Sequence, residues 1–393
     1  MEQDARTIDA VLRRAVDEGE VPGVVAMAAT DTGVFYAGAF GLRDLGQGAA
    51  MTLDTMFRLA SMTKAVTAVA ALQLVEQGKL TLDGPVPGID PVLSAPQVLE
   101  GFDPSGTPRL RPARRPITLR HLLTHTAGFS YDIWGAETAR YIEATGMPAR
   151  STGKIASIRL PLIFDPRERW EYSVATDWVG LIVEAASGQP LDAHVQQHIF
   201  GPLGIADIVF GDAAMPGQQA RLASEHQRQA DGSLQPQPYE APVKPEYRGG
   251  SGLWAAAPDY RVFLRMLLHG GTLGGPRILR PDTAAALGQN QIGAIEAGVM
   301  RTTRPARSAD IDFFPGASLK WGLATMINAQ PGPNGRGAGT LSWAGSSNTH
   351  YWIDPARRVA GVLMTQILPF GDPAAMRLYG RFERAVYDSL NTA

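Results

Sequence analysis

The chain has no cysteine among its 393 residues. That excludes disulfides, a cysteine nucleophile and zinc–thiolate sites, and leaves the redox compartment open. Charge is scarce too: 36 basic and 38 acidic residues give a formal net charge of -2, and no basic cluster occurs. Nucleic acid and anionic membranes are poor partners for such a chain. No apolar run reaches the roughly 20 residues of a membrane span. The stretch from Met1 to Glu20 is acidic and amphipathic, without the apolar core of a secretory signal. If the sequence is full length, the cytoplasm is the expected compartment.

Two common hydrolase signatures are also missing. An α/β-hydrolase elbow needs G-x-S-x-G, whereas Gly249-Gly250-Ser251-Gly252 has its glycines at the wrong offsets and reads as a tight turn. The histidine pairs His121/His125 and His194/His198 lack the glutamate of an H-E-x-x-H zinc helix, so no metal or other cofactor is expected.

What is present is Ser61-Met62-Thr63-Lys64, opening the apolar run Ala65 to Gln77. A serine hydroxyl needs a partner to take its proton. On a helix, positions three apart share a face with Cβ atoms roughly 5–6 Å apart, which brings the Lys64 amine to Ser61. The helix is apolar nearly all round, as buried helices are, and burial lowers a lysine pKa toward the range of a useful base. A second Ser-x-x-Lys, Ser151 to Lys154, contains Gly153 and follows Pro148, so it reads as a loop that does not hold the pair in register.

Further blocks lie in order along the chain: FRLASMTK from Phe57, QLVEQGKLTLDGPV from Gln73, ITLRHLLTHTAGF from Ile117, WEYSVATDWVGLIVEAASGQPL from Trp170, IFGPLGIADIVF from Ile199, GGSGLWAAAPDYRVFLRMLL from Gly249 and LSWAGSSNTHYWIDP from Leu341. Together they resemble the serine β-lactamase and penicillin-binding-protein superfamily, most closely the class C enzymes and the family VIII carboxylesterases. The resemblance implies an α+β fold, an antiparallel sheet flanked by helices with a mostly helical region inserted. The expected division is 1–85 with 240–393 as one domain, 86–239 as the insert, and the cleft between them. It also implies Ser61, Lys64 and Tyr172 as catalytic residues, and the backbone N–H groups of Ser61 and Ser346 as an oxyanion hole, since such a hole needs two donors aimed at the developing alkoxide.

Two departures bear on substrate. Where the superfamily has Tyr-x-Asn and Lys-Thr-Gly, this chain has Tyr172-Ser173-Val174 and Trp343-Ala344-Gly345. Valine offers no hydrogen bond and indole one uncharged donor, so a β-lactam would lose two anchors. Trp-x-Gly is what family VIII carboxylesterases resemble here. A third departure, Asp165-Pro166-Arg167 where relatives carry Pro-Gly, concerns a local turn. Expected substrate contacts are Trp343, Gly345, Val174, Tyr131, Trp134, Trp254, Trp352 and His350, although His350 reads more readily as a packed strand residue.

The expected activity is cleavage of small-molecule carboxylic esters through an acyl-enzyme on Ser61. Alternatives are an amide or β-lactam hydrolase or an acyltransferase on the same site, and a non-catalytic penicillin-sensor-like module. Along the chain, a helix over 5–18, strands at 24–30 and 33–40 joined by a hairpin, and strands at 320–328, 340–343, 350–354 and 359–366 are expected, with a closing helix over 373–390. Residues 217–248 show no clear period and read as long loops, conceivably a lid.

Overall fold

The computed structural model describes residues 2–392 apart from 87, 242 and 243; those two prolines and the valine fall in the expected loop regions and lie outside the description. The first helix, α1 (Glu2–Asp17), leads into β1 (Gly23–Thr30) and β2 (Val34–Asp44), a hairpin turning at Asp31 to Gly33 as the sequence suggests. The short strands β3 (Ala49–Ala50) and β4 (Met56–Arg58) follow, then helix α2 (Thr63–Glu76). Residues Thr63 to Leu74 of α2 are all buried, because small and branched apolar side chains cover its whole circumference and it packs on α3 (Ala175–Ser187).

Past the helical region come β5 (Ile208–Phe210), β6 (His226–Arg228), β7 (Leu234–Pro236), β8 (Leu253–Ala256) and α4 (Ala257–Leu268). The chain ends with β9 (Leu319–Trp321), β10 (Met326–Asn328), β11 (Leu341–Gly345), β12 (Thr349–Asp354), β13 (Val359–Met364), β14 (Ile367–Leu368) and α5 (Pro373–Thr392). The main sheet runs β9-β10-β11-β12-β13-β1-β2-β3. Strand β13 therefore lies antiparallel beside β1, joining the two ends of the chain, with Val25 opposite Met364.

Both faces of the sheet are covered. Alternate residues of β1, β12 and β13 point to two separate cores: Val25, Met27, Tyr351 and Met364 belong to the one around α2 and α3, and Val24, Ala26, Trp352 and Leu363 to the one under α1 and α5. Two expectations need correction. Residues 320–328 form two strands, because the backbone turns where Gly322 N–H bonds the Thr325 carbonyl and Ala324 takes φ 77°. The aperiodic stretch 217–248 holds the β6–β7 hairpin, and β5 and β6 pair with β8 and β14, so the end of the expected helical insert adds strands to the sheet-bearing part.

Candidate active site

Ser61 stands in a single 3₁₀ turn, Ala60–Met62, that feeds directly into α2. Ala60 takes φ 44°, a left-handed conformation that costs a residue with a side chain and that proteins keep mainly at functional sites. Lys64, one turn on, is fully buried. Its Nζ donates to Ser61 Oγ (3.2 Å), to the Tyr131 hydroxyl oxygen (3.1 Å) and to the Gly250 carbonyl (2.8 Å). Burial lowers the lysine pKa from 10.5 to about 7, with Asp177 opposing the shift and Arg150 adding to it.

Gly250 reaches the lysine because the 249–252 turn presses on α3. A Cβ at Gly180 would sit 1.6 Å from the Arg248 carbonyl oxygen, and one at Gly250 would sit 2.6 Å from the Asp177 carboxylate. The Gly250 N–H donates to Asp177 (2.9 Å), so one glycine residue, by its N–H and its carbonyl, links the buried acid to the buried amine. The sequence reading saw only a turn here.

Tyr172 enters from the residues before α3. Its hydroxyl accepts from the Trp343 indole N–H at 3.0 Å, and its ring contacts those of Tyr131, Trp134 and Trp343. Burial raises the Tyr172 pKa strongly; hydrogen bonding with Ser61 and with Trp343 offsets part of the rise. At neutral pH it is therefore a phenol, while Lys64 is poised to be a neutral amine. Beneath Tyr172 lies His125, whose ring is 4.7 Å away and whose Nδ1 meets Ser173 Oγ at 3.1 Å. Burial holds this imidazole well below its usual pKa. His121 instead belongs to its own helix start, with Nδ1 accepting from the Thr118 N–H.

A cavity of about 310 Å³ opens on Ser61 and is lined by Tyr131, Trp134, Trp254 and Ser346 among others. Strand β11 closes in beside the nucleophile: a Cβ at Gly345 would fall 2.3 Å from the Leu59 carbonyl oxygen, so glycine permits the approach that sets Ser346 next to Ser61. A roomier hollow of about 540 Å³, between His121 and residues 290–295, holds none of these groups.

Four expected substrate contacts lie away from the open cavity. His350 and Trp352 sit opposite Ala344 and Ser342 of β11, on the sheet face away from the cleft, where His350 stacks on Tyr379 of α5 (4.5 Å) and Trp352 packs on Phe382. Val174 is fully buried in the core at the start of α3. Trp343 is buried and meets the Tyr172 ring at a tilt of 57° from β11 rather than facing the open cavity. Ser151 and Lys154 lie in a loop broken by Gly153 at φ 66°, as expected of a motif out of register. In the Asp165-Pro166-Arg167 departure, Arg167 takes φ 73°, the conformation for which glycine is suited, and Asp165 is held by the Arg111 guanidinium.

A serine, a buried lysine and a tyrosine meeting where an antiparallel sheet joins a helical layer define the serine β-lactamase class of fold and site. The Beta-lactamase family model matches residues 8–385. The chain is 33% identical, over 97% of its length and 95% of the relative's, to monacolin J acid methylbutanoyltransferase of Aspergillus terreus. It is 31% identical to lovastatin esterase of Penicillium rubens, over 97% and 98% of the two chains. Unliganded simvastatin synthase (LovD) from Aspergillus terreus superposes with TM-score 0.86 at 32% identity, covering 98% of each chain. The protein belongs to the Beta-lactamase family, and is an enzyme of that superfamily with hydrolase and acyltransferase relatives.

Proposed function

We propose that the protein cleaves carboxylic esters through an acyl-enzyme on Ser61, as a carboxylesterase of the family VIII kind. The observation that carries this reading is the buried Lys64 amine, hydrogen-bonded to Ser61 Oγ and with its pKa lowered to about 7. Neutral, it takes the Ser61 proton as Oγ bonds the substrate carbonyl carbon; the Tyr172 phenol, facing the same hydroxyl, is suited to protonate the departing alkoxide and to recover its proton from the Lys64 ammonium, which returns to the neutral amine. The backbone N–H groups of Ser61 and Ser346 serve the developing oxyanion. Water then attacks the acyl-enzyme while the neutral amine takes its proton, and as the C–Oγ bond breaks the ammonium returns that proton to Ser61 Oγ and the acid is released.

Two features favour esters over lactams. The indole N–H of Trp343 is spent on Tyr172, so β11 offers no cation, and Val174 offers no amide. Similarity to a methylbutanoyltransferase over nearly the whole chain supports a second reading in which an alcohol replaces water as acceptor.

The test is mass spectrometry after reaction with a 4-nitrophenyl alkylphosphonate, beside steady-state release of 4-nitrophenol from C2 to C12 esters with and without an added alcohol. One label per chain at Ser61, and turnover beyond one equivalent, is expected. Label on Ser151, Ser251 or Ser346 overturns the site, and a halt after one equivalent makes the protein a sensor. An ester of the added alcohol among the products favours the transferase reading.

A further inference from the structure

Arginines tucked into this protein mostly meet a carboxylate. Arg111, Arg120, Arg221, Arg228, Arg248 and Arg336 each have one within ion-pair distance. Others, Arg43, Arg261 and Arg265, meet backbone carbonyls. The partly buried arginines without an acceptor, Arg58 and Arg150, gather at one place, together with the exposed Arg307. Arg58, Arg150 and Arg307 all line the 310 Å³ cavity at Ser61, and among the described residues none of their guanidinium groups has a carboxylate within ion-pair distance or a hydrogen-bond acceptor. Arg58 and Arg150 are only partly exposed. They rest on aromatic faces instead, Arg58 on Trp254 (5.9 Å) and Tyr239 (5.7 Å), Arg150 on Tyr131 (4.3 Å).

A guanidinium shielded from water without an anion gives up hydration for little return, and its planar fork fits an oxyanion with two parallel bonds. The position of Arg58 is fixed by strand pairing, since it lies opposite Trp254 across β4 and β8, three residues before the nucleophile. Arg150 comes from the 3₁₀ turn Arg150–Thr152 and Arg307 from the other side of the cavity. The acids nearby are Glu225, which shares the cavity and accepts a hydrogen bond from Ser347 Oγ, Asp177, which burial pushes toward its neutral form, Asp132, which pairs with Arg304, and Glu240 on the adjoining hollow that Arg58 and Arg150 also line. Three guanidinium cations, none of them paired with these acids, leave the site disposed toward an anion. Ile133 and Trp134 supply an apolar wall in the same cavity, suited to an acyl chain.

Building on the acyl-enzyme reading, we propose that the Ser61 cavity selects esters whose alcohol half carries an oxyanion, a carboxylate or a phosphate, held by Arg58, Arg150 and Arg307 while the acyl chain lies against Ile133 and Trp134. The charge that β11 lacks at Trp343 is supplied from other walls of the cleft.

The test measures binding to the Ser61→Ala protein, where turnover does not intrude. The probes are 4-butanoyloxybenzoate, 4-butanoyloxyphenyl phosphate, neutral methyl 4-butanoyloxybenzoate, and mono-4-nitrophenyl glutarate, which carries its charge on the acyl half. Calorimetry should show one of the first two probes bound about 10- to 100-fold more tightly than the methyl ester, the range of a charge-assisted contact. Whichever probe wins names the anion. Arg58→Gln or Arg150→Gln, added to Ser61→Ala, should collapse the ratio, and Arg307→Gln, at an exposed position that the fold does not depend on, should reduce it. Equal binding of charged and neutral esters, or a preference that survives all three arginine variants, overturns the proposal. A preference for the glutarate ester overturns its assignment to the alcohol half. Binding as expected without turnover by the wild-type protein would count against the acyl-enzyme reading while leaving the anion site standing.

Discussion

Trp343 donates its indole N–H to the Tyr172 hydroxyl at 3.0 Å, so the residue standing where the superfamily has a lysine acts on the phenol beside Ser61 and Lys64. That bond helps hold down the Tyr172 pKa. Trp343→Phe keeps a ring against Tyr172 and removes the donor. A neutral hydrogen bond contributes about 0.5–1.5 kcal/mol, so kcat/KM for 4-nitrophenyl butanoate should fall roughly 2- to 10-fold. Unchanged kinetics in a folded Trp343→Phe protein would mean that the bond has no part in the reaction.

Lys64 makes the reaction pH-dependent. With its pKa lowered to about 7, the amine is the base only when neutral, so kcat/KM for esters should climb as pH rises through about 7 and level off above. Stability follows the same group. Between about pH 7 and 10.5 the unfolded chain binds a proton at Lys64 that the folded chain does not, so this residue's contribution makes stability rise with pH in that window. Lys64→Met should accordingly melt higher than the wild-type protein below pH 7, and its advantage should shrink toward pH 10. An advantage that does not vary with pH would show that the amine is not the titrating group.

Tyr131 tunes that lysine. Its hydroxyl oxygen accepts from Nζ at 3.1 Å, which favours the charged amine. Tyr131→Phe should therefore move the rising limb of the pH–rate profile to lower pH, with the nucleophile still labelled. A limb that stays in place or moves upward would assign the tyrosine another role.

Lys64 and Tyr172 should behave as one unit. Lys64→Ala and Tyr172→Phe should each lower kcat by about 10²–10⁴, and the double variant should lose much less than the product of the two. A full product, measured on the same ester, would make their roles independent.

Selectivity against lactams rests on the second motif. With Val174 buried where an amide clamp is missing, a cephalosporin forgoes a hydrogen bond, or about 0.5–1.5 kcal/mol, on top of its poorer leaving group. Activated short-chain esters should be turned over far faster. A cephalosporin kcat/KM equal to that of 4-nitrophenyl acetate would reverse the assignment.

Much of this site was legible in the sequence because its parts are local. Ser61 and Lys64 are one helical turn apart, and Tyr172 and Trp343 stand in short motifs. The lysine's other partners are not local: Tyr131 and Gly250 come from distant segments, and only the folded chain brings their oxygens to Nζ. The strand residues failed for a different reason. Every side chain of β12 is buried, because helices cover both sheet faces, so alternation gives no sign of which parity faces the cleft. Tyr351 turned out to face α4, its ring 5.7 Å from that of Tyr260, and His350 and Trp352 to face α5. The arginines of the cavity were passed over because an unpaired cation is visible only once every possible partner has a position.

The pairing of β1 with β13 has a consequence for how the enzyme comes into being. During synthesis the segment bearing Ser61 leaves the ribosome early, while β11, Ser346 and the strand that completes the sheet's middle emerge near the end. Until then β1 has a bare edge and the nucleophile lacks its full setting. Contacts of such large sequence separation form slowly and expose unpaired strand to aggregation. The nascent protein is thus without an assembled site and most dependent on chaperones during the same interval, and both conditions end when the last strands dock.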